Sequence, residues 1–169
     1  MSSQDAAVLA DLEARPDGVL DDVARRHGVS LRVVFDLLPR ESARPAAGAR
    51  FADIWRDLTH WGPVTFIVHS DDGVFETKAV LPPGEEGRGY FNIHGDSPLG
   101  GHIRRDRCAA IYFIDRSFFG RRSCSLQFIN IDGGAMFKVF VGRDANRNLL
   151  EDQLERFVRL RSAETDAVG

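Results

Sequence analysis

The densest group of metal-capable side chains lies in one stretch, Arg88-Gly89-Tyr90-Phe91-Asn92-Ile93-His94-Gly95. His69 precedes it and Gly100-Gly101-His102-Ile103 follows it. A tyrosine and histidines on or beside strand-like segments can bind a metal, above all the iron of haem. A phenolate is a hard anionic oxygen that suits ferric iron. Coordination can deprotonate a phenol that otherwise ionises near pH ~10. His102 follows a flexible glycine loop and is a candidate axial or distal group. On the run 64–70, strand alternation places Thr65, Ile67 and His69 on one face, with His69 near the end where a pocket mouth would lie. Alternation places Arg88 on the face of Tyr90 and Asn92, where it could steady a phenolate or hold a propionate. Tyr90, His69 and His102 are therefore candidate iron ligands, with Arg88 a further candidate contact. His94 is a weaker candidate, and His27 and His60 fall in helical segments.

Each of these residues also has an ordinary structural reading. A sheet tyrosine commonly keeps its hydroxyl in water, and a histidine at a strand end is commonly a rim residue. Phe66, Phe113, Phe118, Phe119, Phe128 and Met136 could wall a haem, but they read equally as core. Arg104, Arg105, Arg121, Arg122 and Lys78 could meet propionates, but they read equally as a solvated face. Other chemistries lack their signatures. The chain has no Gly-x-Ser-x-Gly, no Walker loop, no Gly-x-Gly-x-x-Gly and no His-Glu-x-x-His. Cys108 and Cys124 form no zinc or redox spacing.

The positioning elements follow from hydrophobic periodicity. Residues 1–39 read as a helical segment, with a turn at Pro16-Asp17-Gly18, a helix stop at Gly28 and a cap at Ser30. Residues 40–50, rich in Ala, Arg, Pro and Gly, read as a linker. Residues 51–169 read as a β-rich domain opened by a short helix over 51–59. Strands are expected at 64–70, 74–80, 88–94, 102–104, 108–114, 123–131 and 135–141. Hairpin turns are expected at Asp71-Asp72-Gly73 and Asp132-Gly133-Gly134. An amphipathic helix over 149–161 closes the chain, with Leu150, Leu154, Phe157 and Val158 on one side. The class is α+β, an antiparallel sheet with N-terminal helices and a C-terminal helix.

Residues 23–37 mimic a DNA-binding helix-turn-helix in spacing. The chemistry disagrees: Leu31-Arg32-Val33-Val34-Phe35-Asp36-Leu37-Leu38 offers one cation and almost nothing to read base edges. The net charge of -3 supplies no basic field for nucleic acid or an anionic membrane. No apolar run is long enough to span a bilayer. The first fourteen residues lack the cationic start of a secretory signal. Free thiols then point to the cytoplasm.

The same residues resemble the HutX/ChuX family of cytosolic haem-utilisation carriers. The resemblance runs through Pro16-Asp17-Gly18, Trp61-Gly62-Pro63-Val64-Thr65, Gly89-Tyr90-Phe91-Asn92, Gly101-His102-Ile103 and Phe118-Phe119-Gly120. It continues through the segment from Ala135 to Asp144, then Arg147, Leu149 and Leu150. It implies a split-barrel-like fold equivalent to half of the two-repeat HemS/ChuS-type proteins. It also implies a homodimer, haem as ligand and delivery to a cytosolic haem-degrading enzyme. Family haem residues map onto Tyr90, His69 and His102. Phe119 departs from the methionine common in relatives, which alters a possible pocket wall. The leading expectation is a non-enzymatic carrier. The alternatives are an enzyme that degrades bound haem and, last, a DNA-binding regulator.

Overall fold

In the computed structural model the backbone is described over residues 1–168 and the side chains over 1–164. Three helices come first: α1 (Ser3–Ala14), α2 (Leu20–His27) and α3 (Leu31–Leu37). Their ends follow local chemistry. Ser2 and Asp5 form a reciprocal capping box on α1. Gly28 takes the left-handed conformation (φ 60°) that stops α2. The Ser30 hydroxyl accepts from the Val33 N–H at 3.3 Å to start α3.

The rest of the chain runs β1 (Ala43–Ala47), α4 (Phe51–Leu58), β2 (Val64–Ser70), β3 (Gly73–Ala79), β4 (Gly84–Gly87) and β5 (Tyr90–Ile93). It continues through β6 (Gly101–Ile103), β7 (Cys108–Phe118), β8 (Arg121–Asn130), β9 (Ala135–Phe140) and α5 (Glu151–Val168). A six-stranded sheet has the order β1-β7-β8-β9-β2-β3, and a three-stranded sheet has the order β4-β5-β6. The strand pairs within both sheets are antiparallel. The large sheet stays open, with β1 and β3 at its edges.

Strand alternation sends side chains to two cores. On β7, Ile111 and Phe113 join Phe51, Trp55, Phe91, Leu126, Phe128, Phe137 and Phe157 in a core that α4, α5 and the small sheet cover. Ala110, Tyr112 and Ile114 point the other way and join Val8, Leu20, Val23, Val34 and Phe35 under α1–α3. Strands buried on both faces read as continuous apolar runs, as Ala110–Ile114 does.

Three expectations need correction. The supposed linker at 40–50 contains a strand and a single 3-10 turn (Gly48–Arg50). Its strand β1 pairs along β7 from Ala43↔Ile114 to Ala47↔Ala110. Its Ala-Pro-Arg composition has little strand propensity, but Pro45 is tolerated because β1 is an edge, and small Ala43 and Ala46 fit beneath their neighbours. Second, Gly84-Glu85-Glu86-Gly87 is also a strand, held by pairing with β5 rather than by propensity. Third, Arg88 is not in a strand. Arg88 (φ 55°) and Gly89 (φ 83°) are the two central residues of the β4–β5 hairpin, both left-handed as a type I′ turn requires. Arg88 therefore does not share a strand face with Tyr90.

Candidate functional site

The small sheet builds the first cluster. Phe91 and Ile93 point into the core, so alternation turns Tyr90 and Asn92 outward. The β5–β6 register sets Asn92 opposite His102. Tyr90 remains 39% exposed. Its ring centroid lies 5.9 Å from that of His102, edge to face at 65°. The Arg104 guanidinium lies 5.8 Å from the Tyr90 ring centroid, and Asp106 holds that guanidinium through two 3.1 Å hydrogen bonds. Asn92 Oδ1 lies 2.5 Å from His102 Nδ1. The result is an open patch that presents a phenol, an imidazole and a cation together.

His69 is elsewhere. Val64 and Phe66 of β2 face the large core, so Thr65, Ile67 and His69 face the other side of the six-stranded sheet. There α1–α3 pack over β1, β7 and part of β8. Beside them a cavity of about 450 Å³ remains, lined in part by β2, β3 and β9. The cavity floor is polar. Lys138, only 5% exposed, sets its Nζ 2.6 Å from Asp21 Oδ2 on α2. His69 Nδ1 lies 3.4 Å from both Lys138 Nζ and Asp21 Oδ1. Gln127 donates to Ser125 Oγ at 3.2 Å, and its buried Oε1 has no hydrogen-bond partner. The rim carries Lys78, Arg116, Arg143 and Phe118.

The structure therefore brings Tyr90 and His102 together and separates them from His69. A whole sheet and a hydrophobic core lie between the two groups. Of the aromatic residues named as a possible wall, Phe118 lines the cavity, while Phe66, Phe113 and Phe128 belong to the opposite core. Phe119 is 74% exposed and stands against Phe118 at 4.4 Å between ring centroids, so it does not build that wall. His94 and His60 are exposed. His27 is hydrogen-bonded to Asp11 at 2.9 Å.

The donor chemistry limits what can bind. Among the described residues no three His, Cys, Asp or Glu side chains converge as a metal cluster, so a bare ion would find too few ligands. Haem brings four equatorial nitrogens and asks the protein for one or two axial donors, which Tyr90 and His102 can provide. Thiolate ligation is disfavoured because burial pushes Cys108 up to about 11 and Cys124 up to about 12. Sequence reasoning gave no role to Asn92, Gln127, Lys138 or Asp21. Alternation did mark Asn92 as a face-mate of Tyr90. Its partner His102 appears only once the β5–β6 register is known.

Comparison with known proteins identifies the family. Residues 44–160 match the model of the family described as haem utilisation ChuX/HutX. The intracellular haem transport protein HutX of Vibrio cholerae is 32% identical over 158 residues, 93% of this chain and 82% of HutX. An Agrobacterium tumefaciens protein of solved structure is 45% identical with a TM-score of 0.87, covering 95% of this chain and 91% of its own. The haem-binding protein ChuX is 35% identical with a TM-score of 0.84, covering 92% of this chain and 97% of its own. The haem-degrading enzyme ChuS of Escherichia coli O157:H7 shares the fold, with a TM-score of 0.73 at 13% identity, and this chain matches 48% of it. The expected relation to half of a larger two-repeat protein is thus seen in the fold. The chain belongs to the haem utilisation ChuX/HutX family.

Proposed function

We propose that the chain is a haem carrier that binds ferric haem through Tyr90 and releases it to a partner. The observation that carries this reading is the exposed Tyr90–His102 pair beside Arg104 in a protein without a convergent metal cluster among its described residues. The relative HutX is named for intracellular haem transport and ChuX for haem binding, which favours carriage over degradation. An open site suits the task, because hand-off requires release.

The two rings stand side by side on one hairpin face. From one protomer, both would therefore approach a haem from the same side. Tyr90 ligates ferric iron as phenolate, with Arg104 stabilising the negative oxygen. His102 is the neighbouring nitrogen donor, which would take over the iron when Tyr90 leaves it. Arg88, exposed in the two-residue turn between Tyr90 and its hairpin partner Gly87, is free to reach a propionate. A homodimer, residence in the cytoplasm and a haem-degrading enzyme as acceptor complete the proposal.

A second reading seats haem in the cavity with His69. The roughly 450 Å³ of space and the unpartnered Gln127 oxygen favour it, since ligand pockets of ~300–1,000 Å³ are usual. Hemin titration of Tyr90→Phe, His102→Ala and His69→Ala separates the two. Tyr90→Phe is expected to abolish the charge-transfer features of a ferric phenolate and weaken binding about 10-fold or more, with His69→Ala unchanged. The reverse pattern moves haem to the cavity. Loss of the Soret band in air with a reductant, with iron released, would make the protein an enzyme.

A further inference from the structure

We propose that Asn92 is a positioning residue: it holds His102 in the Nδ1–H tautomer and so presents a bare Nε2 to the ligand. The inference deepens the haem reading above and rests on it for the identity of that ligand. The two ends of the Asn92 amide face different strands. Its Nδ2 donates to the carbonyl oxygens of Gly87 at 3.0 Å and Glu85 at 3.3 Å, both on β4. Carbonyl oxygens only accept, so these bonds fix the nitrogen end toward β4. The oxygen end is thereby turned to β6, where it meets His102 Nδ1 at 2.5 Å.

An amide oxygen also only accepts. Two lone pairs would repel at this distance, so Nδ1 carries the hydrogen. A neutral imidazole has one N–H, which leaves the lone pair on Nε2. His102 is exposed, and with Nδ1 turned to Asn92 the Nε2 edge is the one left for a ligand. A hydrogen bond from the far nitrogen both orients a ligating histidine and raises its basicity. Gly87 and Glu85 thus act on the iron-facing atom through Asn92, and the β4–β5–β6 sheet becomes a relay of orientation.

The test compares two variants that both lose the Nδ2 bonds to β4. Asn92→Asp keeps an acceptor oxygen toward His102, whereas Asn92→Leu removes it. Nitrogen-15 NMR of the haem-free protein at about pH 8 reads the tautomer directly. Wild type and Asn92→Asp are expected to show the Nδ1–H pattern, and Asn92→Leu to lose it. In the Tyr90→Phe background, hemin affinity is expected to fall about 10- to 100-fold on adding Asn92→Leu and to be largely kept with Asn92→Asp. An Nε2–H pattern in wild type, or an unchanged tautomer in Asn92→Leu, overturns the proposal. An Nδ1–H protein that binds no hemin overturns the haem reading instead, and leaves the tautomer assignment standing.

Discussion

At the scale of single residues, buried charge lies in several places outside the exposed patch, among them Asp11, the Asp21–Lys138 contact and Glu164, which pairs with Arg50. Asp11 on α1 is buried and gathers Arg26, His27 and Arg15. The hydrogen bonds from Arg26 pull its carboxyl well below the usual range, against the opposing effect of burial, with His27 and Arg15 adding to the pull. The folded value therefore lies below the unfolded one, ~3.9. Its stabilisation is fully present above about pH 5 and is lost as the pH falls through the acid range. Asp11→Asn is expected to unfold more easily at neutral pH and to show a flatter loss of stability between about pH 5 and 2, measured by urea denaturation across pH. The Asp21–Lys138 contact ties α2 to β9 at the cavity floor. Neither group was legible as paired from sequence, because 117 positions separate them.

At the scale of elements, hydrophobic pattern and turn chemistry carried most of the assignment. The helix ends at Ser2, Gly28 and Ser30 and the hairpin turns at 71–72 and 131–134 follow from local residue types. Elements without local signal, β1 and β4, exist because a neighbouring strand offers an unpaired edge. The C-terminal helix shows how elements are joined. Gln153, 1% exposed, accepts from the Gly142 N–H at 2.7 Å and donates to Trp61 O at 2.9 Å and Pro63 O at 2.7 Å. One side chain satisfies the backbone of two loops. Gln153→Leu would strand these groups away from water and is expected to cost roughly 2–4 kcal/mol, read from the urea midpoint at constant m-value.

At the scale of the whole molecule, layering decides which faces are available. The helix that mimics a DNA reader, α3, buries Leu31, Val34 and Phe35 against the sheet. Its first turn meets the β8–β9 hairpin, where the Arg32 N–H donates to Gly133 O at 3.0 Å. Gly133 (φ 89°) leaves no room for a side chain there, since a Cβ would lie 2.5 Å from Ser30 Oγ. A recognition helix must stand free to enter the major groove, and this one is pinned. Fluorescence anisotropy with duplex DNA at about 150 mM salt is expected to show no saturable binding. Saturable binding that persists at that salt would restore the regulator reading. No helix among the described residues is long and apolar enough to cross a membrane.

The sequence by itself determined the residue chemistry, the α+β class and most element boundaries. These depend on neighbours within a few positions: periodicity, caps, turn residues and the donor types in Tyr90, His69 and His102. Only the tertiary structure decided which donors meet. Tyr90 and His102 come together because β5 and β6 pair in one register. His69 is excluded because β2 turns it to the far face of the other sheet. Asn92 gains its role from the same pairing. A strand pattern fixes which face a side chain takes, but not which strand lies beside it, and contacts between strands depend on that second choice.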